Sequence, residues 1–73
     1  MTDLMLKNVV EAINHELKNG LIYVGIDNGY HYYETYKPIT IYSDGVEIGI
    51  HVDDDSYITL HHKAIVSIRI VEV

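Results

Sequence analysis

The sequence contains no cysteine, phenylalanine or tryptophan, and only one proline in 73 residues. The absence of cysteine excludes disulfide bonds and thiolate metal sites. A chain of this length forms a single domain, residues 1–73, and folding buries only about 60% of the surface of the unfolded chain. Hydrophobic residues make up 48% of the sequence, which is enough for a folded core. Because disulfides are unavailable, we expect a homo-oligomer in which subunit contacts add to a marginal core.

Basic residues are scarce, with five Lys and Arg against eleven Asp and Glu, and the net charge is −6. No Lys or Arg lies between Lys37 and Lys63. This segment contains five acidic residues, namely Asp44, Glu47, Asp53, Asp54 and Asp55. A protein that binds a phosphate backbone needs clustered cations, so nucleic acid is the less favoured partner. The segment instead predicts a partner protein with a basic surface, and the alternative is that these acids only maintain solubility.

Long apolar runs are also absent. The first hydrophobic residues, Leu4 to Leu6, are interrupted at Lys7 and Glu11, and no stretch approaches the length needed to span a bilayer. We therefore expect a cytoplasmic protein without a membrane segment.

One amphipathic helix is predicted over residues 3–19. Apolar residues recur there at three- and four-residue spacing, at Leu6, Val9, Val10, Ile13 and Leu17. Thr2 or Asp3 is a suitable N-cap, and Asn19-Gly20 is a typical helix end.

After Gly20 the apolar period changes to two, which predicts strands at 21–26, 30–36, 39–42, 46–52, 57–61 and 64–71. Turn residues separate them at 27–29, 37–38, 43–45 and 53–56. Short turns favour antiparallel pairing, because a parallel pair needs a long crossover. The predicted fold is α+β, an N-terminal helix on a strongly bent antiparallel sheet or small barrel of five to six strands.

The last predicted strand is apolar on both faces. Ala64, Val66, Ile68 and Ile70 alternate along one face, while Ile65, Val71 and Val73 fall on the other. We interpret it as a central strand under the helix or as a strand that contacts another subunit.

All seven aromatic residues are tyrosines, and four of them, Tyr30, Tyr32, Tyr33 and Tyr36, lie within seven residues. Alternation on a strand places Tyr30, Tyr32, Glu34 and Tyr36 on one face and His31, Tyr33 and Thr35 on the other. Tyrosine suits a surface that is half buried and half hydrated. The cluster is consistent with the edge of a core, with a protein-binding surface, or with stacking of nucleic-acid bases, and the acidic charge disfavours the third.

The sequence shows no convincing catalytic or cofactor motif. His51 and Asp53, with His61 further along, are weak candidates for a metal site of the His-and-carboxylate type, and solvated turn residues are the alternative. No nucleophile-elbow pattern accompanies Ser43, Ser56 or Ser67. We expect a protein that is not an enzyme and that needs no cofactor.

Two short segments resemble the paired motifs of the Sm-like family of small β-barrel proteins. The first is an apolar strand that ends in Asn28-Gly29-Tyr30, and the second is His62-Lys63-Ala64-Ile65-Val66-Ser67-Ile68. The resemblance implies a ring of five-stranded barrels that binds RNA, with Asn28, Gly29, His62 and Lys63 near its pore. The order of His62 and Lys63 is reversed relative to the family pattern, and the middle of the chain is acidic.

In size, acidity and lack of enzyme motifs the chain is also similar to small phage-encoded inhibitors and nucleic-acid mimics. The leading hypothesis is therefore an acidic protein-binding module that occupies a basic cleft of its partner through the tyrosine cluster and the acidic segment. An Sm-like RNA-binding ring is the first alternative. A binder of a small ligand or metal at subunit interfaces is the second.

Overall fold

The computed structural model describes residues 1–20, 22–52 and 56–72. In these residues one helix is followed by six strands: α1 (Asp3–Leu17), β1 (Ile22–Asp27), β2 (Tyr32–Thr35), β3 (Thr40–Tyr42), β4 (Glu47–His51), β5 (Tyr57–His61) and β6 (Ser67–Glu72). Two 3-10 turns lie between strands, turn I (Ser43–Gly45) and turn II (His62–Ala64). The predicted α+β class, with a single N-terminal helix and antiparallel strands, is confirmed.

The predicted helix is present and begins at the expected cap. The Thr2 side chain accepts a hydrogen bond of 3.1 Å from the Met5 N–H, which satisfies one of the free donors of the first turn. The helix ends at Leu17, and Gly20 has a positive φ of 70°. Leu6, Val10, Ile13 and Leu17 form its buried face. No helix of the described residues is long and apolar enough to cross a bilayer.

The strands form two three-stranded antiparallel sheets that do not close into a barrel. Sheet A has the order β2-β1-β6 and sheet B the order β3-β4-β5. In each sheet the central strand pairs with both neighbours, so that β1 and β4 set the register for the strands around them.

Alternation along the central strands separates a buried inner face from an outer face. Val24 and Ile26 in β1, like Ile48 and Ile50 in β4, are fully buried. They pack with the buried face of α1 into one core, together with Ile22, Ile39, Leu60 and Ile65. Burying such aliphatic side chains contributes about 1.5–3 kcal/mol each, and it fixes which residues face outward.

Two predicted strands start two or three residues later than the sequence pattern indicated. Residues 28–31 form a turn, so β2 begins at Tyr32 and not at Tyr30. Turn II occupies residues 62–64, so β6 begins at Ser67. The turn also changes which side chains are buried: Ile65 is buried, whereas Val66 and Ile70 are 68% and 53% exposed. The interpretation of this segment as a central strand is wrong, because β6 lies at the edge of sheet A.

Candidate protein-binding surface

Sheet A carries a group of tyrosines on its outer face. Tyr32 is paired with Asp27, and its ring reaches diagonally across β1 to cover Gly25. A Cβ atom at Gly25 would lie 1.9 Å from the Tyr32 hydroxyl oxygen, so only glycine leaves space for the ring. This arrangement is the known pairing of an aromatic residue with a cross-strand glycine.

Tyr23 and Tyr36 form a second aromatic contact on this face. Their ring centroids are 5.4 Å apart with an interplanar angle of 47°, a separation typical of favourable aromatic pairs. Desolvation raises the pKa of the Tyr23 hydroxyl, and the nearby Glu34 carboxylate raises it further. Tyr36 is 64% exposed. One ring of the pair is therefore supported by the sheet while the other is open to solvent.

Tyr30 lies at the tip of the turn between β1 and β2. The Asn28 side-chain oxygen accepts hydrogen bonds from the N–H groups of Tyr30 (2.9 Å) and His31 (2.7 Å), while the Asp27 carboxylate accepts one from Gly29. These bonds define the backbone of the turn. The Tyr30 side chain itself is 91% exposed.

The opposite face of β2 contributes to the core. Thr35 is buried and Tyr33 is half-buried against the hydrophobic cluster. An open groove lined by Tyr32, Tyr33, Glu34 and Val52 runs beside the strand. The tyrosine cluster is thus divided: Tyr30, Tyr32 and Tyr36 are on the surface, whereas Tyr33 joins the core edge.

Sheet B has a similar outer face, which sequence reasoning missed. Tyr42 from β3 and Tyr57 from β5 both reach over Gly49, and their hydroxyl groups are hydrogen-bonded to each other. The Thr40 hydroxyl and then the Tyr42 hydroxyl stabilise the charged form of Tyr57 and lower its pKa. The hydrogen bond to Tyr57, with some desolvation, raises the pKa of Tyr42. Either hydroxyl can donate in this hydrogen bond.

A sequence signal for this second surface exists. Each central strand contains a glycine between two aliphatic residues, in Val24–Ile26 of β1 and in Ile48–Ile50 of β4. In each case a tyrosine begins the strand that follows, Tyr32 or Tyr57. An interior glycine in a strand marks close approach of another group, and the repeated pattern would have predicted both tyrosine contacts.

The predicted acidic residues are only partly on these faces. Glu47 lies on the outer face of sheet B, paired with Tyr42 on one side and His61 on the other. Asp44 is exposed in turn I, where its φ is 55°. Asp53, Asp54 and Asp55 lie outside the described residues.

The weak metal candidates are not brought together. His61 is opposite Glu47 at one end of β4, while His51 is opposite Tyr57 at the other end, where the two rings meet edge to face at 4.8 Å. Asp53 lies outside the described residues. Within the part of the chain that the structure describes, no three His, Asp or Glu side chains are placed to hold a metal ion.

The two segments that resemble Sm-like motifs lie side by side. The Val66 N–H donates a 2.8 Å hydrogen bond to the Asp27 carbonyl, and a Cβ atom at Gly29 would be 3.4 Å from the Val66 side chain. Turn II is held by the His61 side chain, which accepts from the Lys63 N–H, and by a 2.8 Å contact between His62 Nδ1 and the Met1 carbonyl.

A search for related proteins found no matching family model, and no curated protein or solved structure matches the chain either.

Proposed function

We propose that the protein is a non-enzymatic protein-binding module that contacts its partner through the outer face of sheet A and the Tyr30 turn. The observation that supports this role is the arrangement of Tyr23, Tyr32 and Tyr36 on one solvent-facing surface. Tyrosine is enriched at binding surfaces and at their energetic centres.

Two tyrosine rings of this surface are packed in the unbound protein, one against the sheet and one against a neighbouring tyrosine. Tyr32 is held by its contact with Gly25 and Tyr36 by its contact with Tyr23. A side chain that already occupies one conformation loses less entropy on binding, and each immobilised flexible side chain otherwise costs about 0.5–1.5 kcal/mol. Tyr36 and Tyr30 remain open to make new contacts.

Charge indicates the kind of partner. The net charge of −6 attracts a basic surface and accelerates encounter at low salt. We propose that the partner presents such a surface, as a nucleic-acid-binding cleft does, and that the protein occupies it. Binding should then weaken as salt concentration rises.

Site-specific photo-crosslinking in the native host tests the role. A benzophenone amino acid is placed at Tyr36 or Tyr30, and the matched control carries it at Glu16, which is exposed on α1. We expect one major crosslinked protein from the two tyrosine positions and none from Glu16. Equal crosslinking from all three positions would reject the surface.

The crosslinked partner then permits a quantitative test with purified proteins. Tyr36→Ala should weaken its binding about tenfold or more, as expected for an aromatic residue at the centre of an interface. Glu16→Ala should leave the affinity unchanged within about twofold, as expected outside the contact surface.

A second candidate function is favoured by a separate observation. The segments ending in Tyr30 and beginning at His62 are in contact through Val66, and β6 lies at an edge of sheet A with Ile70 exposed. Both features support an Sm-like oligomer that binds RNA. Native mass spectrometry and an RNA gel shift at physiological salt test this alternative. A monomer that leaves RNA unshifted would eliminate it.

A further inference from the structure

The two outer faces share a central glycine covered by tyrosine but differ in the two residues that flank this glycine. In sheet A, Gly25 is flanked on β2 by Glu34 and on β6 by Arg69. In sheet B, the equivalent glycine, Gly49, is flanked by Thr40 and Thr59. Sheet A therefore carries its own guanidinium beside the tyrosines, and sheet B does not.

The outer face of sheet B has aromatic rings and a carboxylate, which are the groups that bind a cation. Tyr42 and Tyr57 converge on Gly49 from opposite directions, and they are 39% and 42% exposed. Their linked hydroxyls hold the two rings in place. The faces of such rings attract cations, with an effect of about two- to fivefold in affinity at exposed sites.

Glu47 supplies a carboxylate next to these rings. It is directly paired with Tyr42 and is half-buried. Strands β3, β4 and β5, which the structure describes in full, contain no Lys or Arg. The basic side chain beside the carboxylate in these strands is the imidazole of His61, which is directly opposite Glu47 on β5.

We propose that the outer face of sheet B binds an arginine side chain of the partner protein, with Tyr42 and Tyr57 beneath the guanidinium and Glu47 beside it. The partner's arginine would supply the guanidinium that Arg69 provides beside Gly25 on sheet A. This inference rests on the proposed function, because it names the chemistry by which a basic partner is recognised.

Arginine fits this face better than lysine does. The guanidinium is planar, stacks on aromatic faces and forms two parallel hydrogen bonds with a carboxylate, whereas the lysine ammonium is a compact and strongly hydrated charge.

The test uses short peptides and the full chain labelled with ¹⁵N. The probe is acetyl-Gly-Arg-Gly-Arg-Gly-amide, and its controls replace both arginines with lysine or with citrulline, which is similar in shape but uncharged. We expect the arginine peptide to shift the amide signals of Gly49 and Thr59, with Gly25 unaffected as the matched position on sheet A. The lysine peptide should bind about two- to fivefold more weakly, and the citrulline peptide should not bind.

Two charge variants localise the site without altering the core. Glu47→Gln should weaken the arginine peptide about three- to tenfold, because it removes the charge-assisted pair. Glu34→Gln, its counterpart on sheet A, should change the affinity by less than about twofold. Equal weakening by both variants would show a general attraction to an acidic protein and would overturn the proposal.

Two aromatic variants test the stacking. Tyr57→Phe keeps the ring and should keep most of the affinity, whereas Tyr57→Leu should lose about two- to fivefold. If the leucine variant does not fold, Glu47→Gln still decides the question. Failure of the arginine peptide to shift Gly49 would overturn the inference about sheet B, while crosslinking from Tyr36 would independently support or reject the binding role of sheet A.

Discussion

The side-chain amide of Asn14 forms two hydrogen bonds with the backbone of Ile39. Its nitrogen donates to the Ile39 carbonyl at 2.8 Å, and its oxygen accepts from the Ile39 N–H at 2.7 Å. Asn14 lies on α1 and Ile39 just before β3, so the pair connects the helix to the segment between the two sheets. It also places Ile39 in the core, where it is buried.

Replacing Asn14 with Asp should destabilise the fold. The carboxylate keeps an acceptor for the Ile39 N–H but removes the donor, and it places a negative oxygen against the Ile39 carbonyl. We expect a loss of about 1–3 kcal/mol in the free energy of unfolding, the cost of leaving a partly buried group without its partner. Urea denaturation followed by circular dichroism measures it. The matched control is Asn8→Asp on an exposed position of α1, and an equal loss there would attribute the effect to helix propensity.

The contact between Gly25 and Tyr32 predicts a change of sign in a double-mutant cycle. In the native protein Gly25→Ala forces the Tyr32 ring off the sheet, and we expect a loss of about 1 kcal/mol, which is in the range of a strong cross-strand pair. In a Tyr32→Ala background the same change meets no ring. Because alanine is better than glycine inside a strand by about 0.5–1 kcal/mol, it should then stabilise the protein.

Thermal and urea denaturation of the native protein, the two single variants and the double variant measure this coupling. Gly25 is not among the residues with a positive φ, so backbone strain does not enter the comparison. Additive effects of the two substitutions would contradict the contact, since independent sites add within about 0.5 kcal/mol.

Gly45 should be the least replaceable glycine of the described chain. Its φ is 105°, and a Cβ atom there would lie 2.2 Å from the Asp3 carbonyl oxygen, which is backbone and cannot turn aside. Gly45→Ala therefore combines left-handed strain with displacement of the helix start, and we expect a loss above about 3 kcal/mol.

Gly20→Ala is its control. Gly20 also has a positive φ, 70°, but among the described residues beyond its chain neighbours no atom lies within 4 Å of the added Cβ. Its cost should be limited to about 1–2 kcal/mol of backbone strain. The difference between the melting temperatures of the two variants measures the cost of the clash with the Asp3 carbonyl, because both variants carry the backbone strain. Similar values would argue against packing of Asp3 on turn I.

Sequence periodicity predicted the helix and the alternation of the strands because both depend on local patterns of apolar residues. It placed Val10 and Ile13 in the apolar stripe of α1, and the predicted period of two is seen in β4, where Ile48 and Ile50 are buried. The division of the tyrosine cluster also follows from alternation, since Thr35 faces inward while Tyr32 faces outward.

Long-range pairing was beyond that reasoning. Tyr42 and Tyr57 are fifteen positions apart in sequence and meet only because β3 and β5 both pair with β4. The late start of β6 depends on turn II, whose cap is the His61 side chain rather than a Gly or Pro signal. Asn14 also contacts Ile39 in the segment between the two sheets, and no local sequence pattern predicts a contact over that distance in the chain.

The hydroxyl pair of Tyr42 and Tyr57 predicts opposite pKa changes in two phenylalanine variants. The pKa of Tyr57 is lowered from the ordinary value of 10.0 by hydrogen bonds from Thr40 and then Tyr42, and that of Tyr42 is raised from 10.0, chiefly by its hydrogen bond to Tyr57. Tyr42→Phe should therefore raise the pKa of Tyr57, because a donor to its phenolate is lost. Tyr57→Phe should lower the pKa of Tyr42, because its proton no longer has that acceptor.

The two shifts also have opposite effects on stability at alkaline pH. The raised pKa of Tyr42 contributes stability that is full below the unfolded-state pKa and is lost as pH rises through the folded-state pKa. The lowered pKa of Tyr57 contributes stability that is full above the unfolded-state pKa and is lost as pH falls through the folded-state pKa. Titration of ¹³C-labelled tyrosine by NMR, between about pH 8 and 12, spans both steps. Movement of both pKa values in the same direction, or no movement in either variant, would show that the hydroxyls are not paired in solution.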